Sequence, residues 1–254
     1  MRIPALVAIL SATLVAALGT ASAQHEGPHW SYEGKTGPVN WGKLNPDYHA
    51  CADGKTQSPI DIRNAHLDKA LQPIEFHYIG TPVTIVNNGH TIQVTPNPGS
   101  YIVADGVRYD LQQFHFHHPS EEAVHGKLSD MVVHLVHKSA DGKLAVVAVR
   151  LNVDNAGDPN ATLATLWEHL PTQHDQTEKI SDMINPGGLL PGDRGYWAFL
   201  GSLTTPPCTE GVHWFVLEQQ MSISRSQLQA FASLYRVNSR PLQDTHGRKI
   251  EANE

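Results

Sequence analysis

The chain has 254 residues, a formal net charge of −7 at pH 7 and an isoelectric point near 6.1. No basic cluster offsets this acidic balance, which argues against nucleic acid and against an anionic lipid surface as binding partners. No repeat, linker or compositional break indicates a second core, so we expect a single domain over residues 24–254.

The first 23 residues have the pattern of a cleavable export signal. Arg2 is followed by an apolar run from Ile3 to Leu18 and then by the small residues Ala21-Ser22-Ala23. The run is too short for a membrane-spanning helix, which needs about 20 continuous apolar residues. We therefore expect a mature protein that begins at about Gln24, has no membrane association after signal cleavage, and is periplasmic or secreted.

Short runs rich in β-branched and aromatic residues alternate with turn signals and predict many strands. These runs cover residues 74–79, 83–86, 91–94, 101–103, 107–117, 131–136, 144–151 and 212–217. Helix signals are fewer and predict helices over 161–170 and 225–235, the second behind a capping-box pattern of Ser224 and Gln227. A Pro- and Gly-rich stretch over 186–195 predicts an ordered loop.

These elements predict a mixed α+β, β-dominated fold. We expect one large, mostly antiparallel twisted sheet with short peripheral helices.

Two cysteines, Cys51 and Cys208, lie far apart in the sequence. Neither has the C-x-x-C spacing of a metal site, and an exported chain meets oxidising conditions. A disulfide between them is the favoured prediction, with free thiols or metal ligands as the alternative.

Histidines offer a candidate metal site. His115-Phe116-His117 lies on a predicted strand, where residues two apart share a face, and His134 on a neighbouring predicted strand could add a third imidazole. Three neutral imidazoles suit zinc and leave its fourth tetrahedral position open. The plainer interpretation is that these are core or solvent-facing histidines. His118 and His137 fall on the opposite faces and are interpreted as structural.

A series of short segments gives these histidines their context. The segments are His29-Trp30-Ser31-Tyr32, Gln57-Ser58-Pro59-Ile60-Asp61-Ile62, Asn88-Gly89-His90, Gln113-Phe114-His115-Phe116-His117, Pro119-Ser120-Glu121, His134-Leu135-Val136-His137 and Gly201-Ser202-Leu203-Thr204-Thr205-Pro206-Pro207. In this order they resemble the α-class carbonic anhydrases over nearly all of the mature chain. The pairing of Cys51 with Cys208 also resembles that of exported bacterial members.

The resemblance implies a zinc lyase, carbonate dehydratase, that hydrates carbon dioxide reversibly to bicarbonate and a proton through zinc-bound hydroxide. It implies that Zn2+ is bound by His115, His117 and His134. Thr204 would orient the bound solvent, and Glu121 would hold Thr204. His90 would relay protons, although a plain turn histidine is the alternative at that position.

The resemblance also implies a pocket for the small substrate and a network of ordered solvent. The implied pocket residues are Val136, Val146, Leu203, Thr205, Val212 and Trp214, of which Val146 and Val212 could equally be plain core. The implied solvent network consists of Tyr32, Asn88 and Gln93, with help from Thr205. The sequence does not decide between a monomer and a homodimer.

Several positions depart from what the family leads us to expect. They are His118, Glu122, Val132, Phe199 and His213. Val132 matters most, because a glutamate in that position commonly accepts the second N–H of the third ligand. Since valine accepts nothing, we expect His134 to use water, a backbone carbonyl or another side chain, with Asp130 nearest in sequence. We expect weaker zinc retention than in relatives that carry the glutamate, and slower zinc loss to a chelator in a Val132→Glu variant.

Three other functions deserve comparison. A catalytically silent relative that only binds ligands typically lacks a ligand histidine, whereas this chain has all three. A zinc-storage protein should carry its histidines in one tract, whereas these are scattered along the chain. A zinc-dependent esterase stays open from the sequence.

Overall fold

The structure is a computed structural model that describes residues 29–154 and 158–253. The predicted export signal, residues 1–23, lies outside the described residues. Among the residues that are described, no helix is both long enough and apolar enough to cross a membrane.

The described residues include four short α-helices, which lie at the periphery: α1 (Trp41–Leu44), α2 (Ala50–Asp53), α3 (Ala161–Glu168) and α4 (Arg225–Ala232). Asn160 caps α3 by accepting a hydrogen bond from the Leu163 N–H at 3.0 Å. The predicted capping box of Ser224 and Gln227 is present at the start of α4. Both predicted helices are therefore confirmed, although each ends a few residues early. Within the same described ranges, 3-10 helices cover Gly34–Thr36, Pro38–Asn40, Pro46–Tyr48 and Pro186–Leu189.

Strands make up most of the regular secondary structure in the described residues. They are β1 (Asp61–Ile62), β2 (His66–Leu67), β3 (Glu75–His77), β4 (Thr81–Asn87), β5 (Ile92–Pro96), β6 (Tyr101–Ala104), β7 (Val107–His117), β8 (Ala123–Val124), β9 (Lys127–Leu128), β10 (Met131–Ser139), β11 (Leu144–Val153), β12 (Thr177–Ile184), β13 (Tyr196–Ser202), β14 (Glu210–Leu217), β15 (Met221–Ile223) and β16 (Glu251–Ala252). Each predicted strand is present; β7 has the predicted bounds, and the others are shifted at one or both ends by a few residues.

Two substantial strands were not predicted. β12 is an edge strand with six of its eight residues exposed, so its sequence lacks the apolar alternation of a half-buried strand. β13 was missed for a different reason. It is mostly buried, so its sequence is a nearly continuous apolar run without the alternation of a half-buried strand. The predicted loop over 186–195 begins with the 3-10 helix Pro186–Leu189 and leads directly into β13.

The main sheet has the strand order β12-β4-β5-β7-β10-β11-β14-β13-β16-β2, with β3, β6 and β15 attached beside this path. Most neighbours are antiparallel, while β11 pairs in parallel with β14 and β15, and β16 with β2. The predicted β-dominated fold with a large, mostly antiparallel sheet is therefore confirmed. β1, β8 and β9 form a separate small sheet.

The two faces of β10 enter different environments. Val133 and Leu135 are buried in the main apolar core, where α3 and α4 also pack. Val132 belongs to a second apolar cluster on the other face, together with Trp214. Because side chains alternate along a strand, His134 points to the second face. The candidate metal site therefore lies on the face of the sheet opposite the main core.

Cys51 and Cys208 form a disulfide, as predicted, with their Cα atoms 5.1 Å apart. Both pack against the buried Trp41. The bridge anchors the loop between β13 and β14 to the N-terminal segment.

Candidate metal centre

Three imidazoles converge at the centre of the main sheet. His115 and His117 lie on one face of β7, and His134 lies directly opposite His115 on β10. One nitrogen from each ring falls within 4.8 Å of the other two. The pairing register of β7 with β10 therefore brings His134 next to His115, which the sequence pattern of the strands could only suggest.

The second nitrogen of each ring faces an acceptor. Nδ1 of His115 lies 2.8 Å from Oε1 of Gln113, and Nδ1 of His117 lies 2.7 Å from the Asn238 carbonyl. Since these oxygens can only accept, each ring nitrogen there carries the proton, and Nε2 keeps its lone pair. Nε2 of His117 is buried without a hydrogen-bond partner. A metal ion would supply the partner that this nitrogen needs.

In His134 the two ring nitrogens exchange roles: Nε2, rather than Nδ1, faces the acceptor. Its Nε2 lies 3.3 Å from Oε2 of Glu122 in hydrogen-bond geometry and 3.1 Å from Oε1 of the same carboxylate. Nδ1 is therefore the nitrogen left to bind a metal. Asp130, the acid nearest in sequence, is engaged elsewhere, because its carboxylate accepts the Val153 N–H at 2.8 Å. Weaker zinc retention was expected because Val132 cannot accept a hydrogen bond from His134. Since Glu122 provides that acceptor, this reason for weaker retention no longer applies.

Electrostatics favour neutral rings at two of the three positions. Burial, followed by the charge of His134, lowers the pKa of His115 to about 3. The same causes lower the pKa of His117 well below its ordinary value. Burial acts on His134 in the same direction, but the negative charges of Glu122 and Glu121 outweigh it and raise its pKa. Neutral imidazole is the form that binds a metal.

Glu121 and Thr204 meet beside the imidazoles. Glu121 is buried, and its Oε1 accepts the backbone N–H of Arg240 at 2.8 Å. Burial raises the pKa of Glu121 to about 7, while the charge of His134, the Arg240 N–H and the nearby Thr204 hydroxyl act against that rise. Thr204 lies in the loop between β13 and β14, which the disulfide anchors at Cys208.

An apolar cavity of about 210 Å³ opens next to these groups. Its lining consists of Gln113, His115, His134, Val136, Val146, Leu203, Thr204, Thr205 and Trp214. The Trp214 indole N–H donates to the Ser202 carbonyl at 3.0 Å, which orients the ring as a wall. Val212 does not line this cavity but packs behind it, in the same apolar cluster as Trp214.

A second, more polar cavity of about 130 Å³ adjoins the first and shares Gln113, His115 and Thr205 with it. Its other lining residues are Trp30, Tyr32, Asn88, His90, Thr91, Gln93 and His117. His90 stacks flat on Trp30, with ring centroids 3.7 Å apart. Burial lowers the pKa of His90, and the nearby His29 and His174 lower it further. A titratable imidazole thus lines the cavity that adjoins the candidate metal centre.

Two other histidines are held away from this cluster. Nε2 of His137 contacts the Tyr78 hydroxyl at 2.8 Å, and Nδ1 of His118 contacts the Asp130 carbonyl at 2.6 Å. The structural interpretation of both residues agrees with these contacts. Phe199, another position that departs from the family, stacks in parallel with Trp214.

Besides Glu122, which had no role assigned from the sequence, four contributing residues were missed. Gln113 could have been found, since it lies two residues before His115 on the same strand face. Asn238 and Arg240 come from an irregular C-terminal segment that carries no motif. Trp30 was noted only as part of a segment, and its stacking on His90 is a tertiary contact.

Comparison with known proteins identifies the family. The sequence model described as eukaryotic-type carbonic anhydrase matches residues 36–254. The carbonic anhydrase of Klebsiella pneumoniae is 47% identical over 225 residues, which cover 87% of this chain and 90% of that protein. The carbonic anhydrase of Pectobacterium carotovorum is 41% identical over 242 residues, covering 95% and 98% respectively.

A solved structure agrees with these relatives. The α-carbonic anhydrase of Thermovibrio ammonificans, in complex with the inhibitor sulfanilamide, matches with a TM-score of 0.85 at 41% identity. The match covers 89% of this chain and 99% of that one. The fold, the three converging histidines and the comparisons lead to one conclusion: this chain belongs to the eukaryotic-type, or α, carbonic anhydrase family.

Proposed function

We propose that this protein catalyses the reversible hydration of carbon dioxide to bicarbonate and a proton, with zinc bound by His115, His117 and His134. The observation that carries the proposal is the convergence of three imidazoles whose second nitrogens are all hydrogen-bonded to acceptors. Three protein ligands leave a tetrahedral zinc ion one open position. When bound there, zinc acts as a Lewis acid that makes water nucleophilic near neutral pH.

Glu121 and Thr204 orient the reacting solvent molecule in this proposal. The Thr204 hydroxyl would donate a hydrogen bond to the Glu121 carboxylate, so the lone pairs of the Thr204 oxygen would accept a hydrogen bond from the solvent molecule. The solvent molecule's own reactive lone pair is then aimed into the apolar cavity. Such orientation lowers the barrier because the reacting atoms meet in a productive geometry.

The apolar cavity suits an uncharged linear substrate. Val136, Val146, Leu203 and Trp214 provide a wall without charged groups, next to His134. Carbon dioxide has no hydrogen-bond donor and is poorly hydrated, so an apolar wall costs it little desolvation. Bicarbonate is charged and fits the same wall less well, which favours its release.

His90 relays the released proton in this proposal. Its imidazole lines the polar cavity, where Tyr32, Asn88, Gln93 and Thr205 provide groups that can order bridging water. Burial raises the pKa of Tyr32 well above its ordinary value, so its hydroxyl stays protonated and available to donate. His90 accepts a proton through this water and passes it to bulk solvent.

Stopped-flow hydration of carbon dioxide, with zinc content measured on the same sample, tests the proposal. We expect one zinc per chain and rapid hydration, both lost on removal of the metal and restored by adding it back. The exposed His66→Ala variant serves as a control that should behave as the parent. A zinc-loaded protein that hydrolyses an activated aryl ester but does not hydrate carbon dioxide would contradict the proposal in favour of an esterase.

Export to an oxidising compartment is part of the same proposal. A disulfide between Cys51 and Cys208 is typical of periplasmic and secreted proteins. N-terminal sequencing of the protein recovered from a periplasmic or culture fraction should begin at about Gln24.

A further inference from the structure

The carboxylate that holds His134 comes from outside its own strand. Glu122 lies in the segment between β7 and β8, and both of its oxygens face Nε2 of His134, at 3.1 and 3.3 Å. The Glu122 side chain is completely buried. A buried carboxylate is unfavourable unless hydrogen bonds or an opposite charge compensate for the loss of water.

The strand neighbour of His134 cannot provide this contact. Val132 lies two residues before His134 on β10, so the two side chains share a face of the sheet. Val132 is fully buried in the second apolar cluster. Its small side chain has no acceptor, so the hydrogen bond to His134 has to come from another element.

Arg150 lies directly opposite Val132 on the neighbouring strand β11. Directly opposite residues in an antiparallel pair place their side chains on the same face. The Arg150 guanidinium lies 5.3 Å from the centre of the Trp197 ring, and its Nη2 donates to the Glu218 carbonyl at 2.7 Å. Its Nε is buried without a hydrogen-bond partner. One positive group therefore sits on the face that carries His134.

Glu122 and Arg150 are both buried, and each has a polar atom without a hydrogen-bond partner among the described residues, Oε1 of Glu122 and Nε of Arg150. Burial lowers the pKa of Arg150, while the negative charges of Glu122 and then Glu218 act in the opposite direction. A charge pair in a poorly hydrated interior is screened much less than a pair at the surface. Each of the two buried groups thus reduces the cost of burying the other.

We propose that the buried, opposite charges of Glu122 and Arg150 act as a pair that positions His134 for zinc, on the face of the sheet where Val132 provides no acceptor. The Glu122 carboxylate accepts the Nε2 proton, which directs the Nδ1 lone pair of His134 toward His115 and His117. Arg150 touches no ligand and acts through Glu122 as a positioning residue. This inference rests on the proposed zinc site.

The arrangement reverses the effect that the sequence predicts for a glutamate at position 132. A second carboxylate there would face Glu122 across the same buried space and would share one counter-charge. Val132→Glu should therefore speed zinc loss or destabilise the fold, whereas the sequence predicts slower loss.

The rate of zinc loss to excess chelator measures how strongly Glu122 and Arg150 affect zinc binding. It needs no assay of the activity of the zinc-bound enzyme. Glu122→Leu removes the acceptor, and we expect zinc loss roughly 10- to 100-fold faster than in the parent. Arg150→Met keeps the length and loses the charge, and we expect a smaller acceleration. In the Glu122→Leu background, Arg150→Met should have no further effect, because it has no carboxylate left to act on.

Arg194→Met is the matched control. Arg194 also donates to a backbone carbonyl, that of Pro191, and lies over an aromatic ring, that of Phe76, but none of these groups belongs to the candidate metal centre. It should release zinc at the parental rate. The near-ultraviolet circular dichroism of each metal-free variant reports whether it is folded, and the visible spectrum of the Co2+-substituted protein reports ligand geometry independently.

The failures of the two proposals are distinguishable. A parent protein that retains no zinc contradicts the proposed function. A parent that retains zinc, together with folded Glu122→Leu and Arg150→Met variants that lose it at the parental rate, contradicts the charge pair. Additive effects in the double variant, or equal acceleration by Arg194→Met, also overturn it.

Discussion

The backbone N–H of Arg240 donates a 2.8 Å hydrogen bond to Oε1 of Glu121, which fixes the carboxylate beside Thr204. The Arg240 side chain extends away from this contact and is also buried. Its guanidinium donates to Oε1 of Gln57 at 2.8 Å and to the Cys51 carbonyl at 3.0 Å. One residue thus connects the carboxylate of the candidate active site with the segment that carries the disulfide.

Arg240→Met should destabilise the protein strongly. The substitution leaves at least two buried neutral acceptors without donors, and each unsatisfied acceptor costs about 1–3 kcal/mol. Denaturant unfolding with the disulfide intact measures this loss. The exposed Arg236→Met variant is the control, and it should unfold within about 0.5 kcal/mol of the parent. An Arg240→Met value equally close to the parent would refute the connecting role.

Replacing any one of His115, His117 and His134 by alanine should leave a folded protein with greatly weakened zinc binding. Each substitution removes one of only three protein ligands. Zinc content after dialysis against a mild chelator measures the effect. His118→Ala changes a neighbouring histidine that lies outside the cluster and should keep its zinc. Tight, near-stoichiometric zinc in all three ligand variants would rule out this assignment.

His90→Ala should lower kcat for carbon dioxide hydration in weak buffer and spare kcat/KM. A group with a pKa near 7 can pass its proton directly to water at only roughly 10³ to 10⁴ per second, given near-diffusion-limited recombination, so faster turnover needs a relay. Added imidazole buffer should restore kcat. His49→Ala, at an exposed histidine, is the matched control. An unchanged kcat in weak buffer would show that protons leave by another route.

The pKa of His90 should be lower than the value of about 6.5 found in an unstructured peptide. Burial disfavours the charged imidazolium, and positive charge on His29 and His174 disfavours it further. The neutral, proton-accepting ring therefore persists to a lower pH. Histidine ring resonances followed by NMR through a pH titration measure this value.

Replacing both His29 and His174 by alanine should raise the pKa of His90 only part of the way toward 6.5, because burial is the largest cause of its shift. A His90 pKa above 6.5 in the parent, or a further decrease in the double variant, would contradict this account.

Sequence alone determined the features that depend on local periodicity. The two-residue repeat of a strand places His115 and His117 on one face, and this needs no knowledge of the neighbouring strands. Turn signals and β-branched runs likewise located most of the longer strands, including the largely buried β10 and β11. β12 escaped prediction because its exposed edge position removes the apolar alternation on which the pattern depends.

Only the tertiary structure decided how the candidate centre is completed. His134 joins the other two rings because the register of β7 and β10 sets it opposite His115. Asn238 reaches His117 from 121 residues away, and Glu122 reaches His134 from a different element rather than from the strand that carries it. These contacts depend on how distant segments pack, and packing is set by the whole core, so no local pattern contains them.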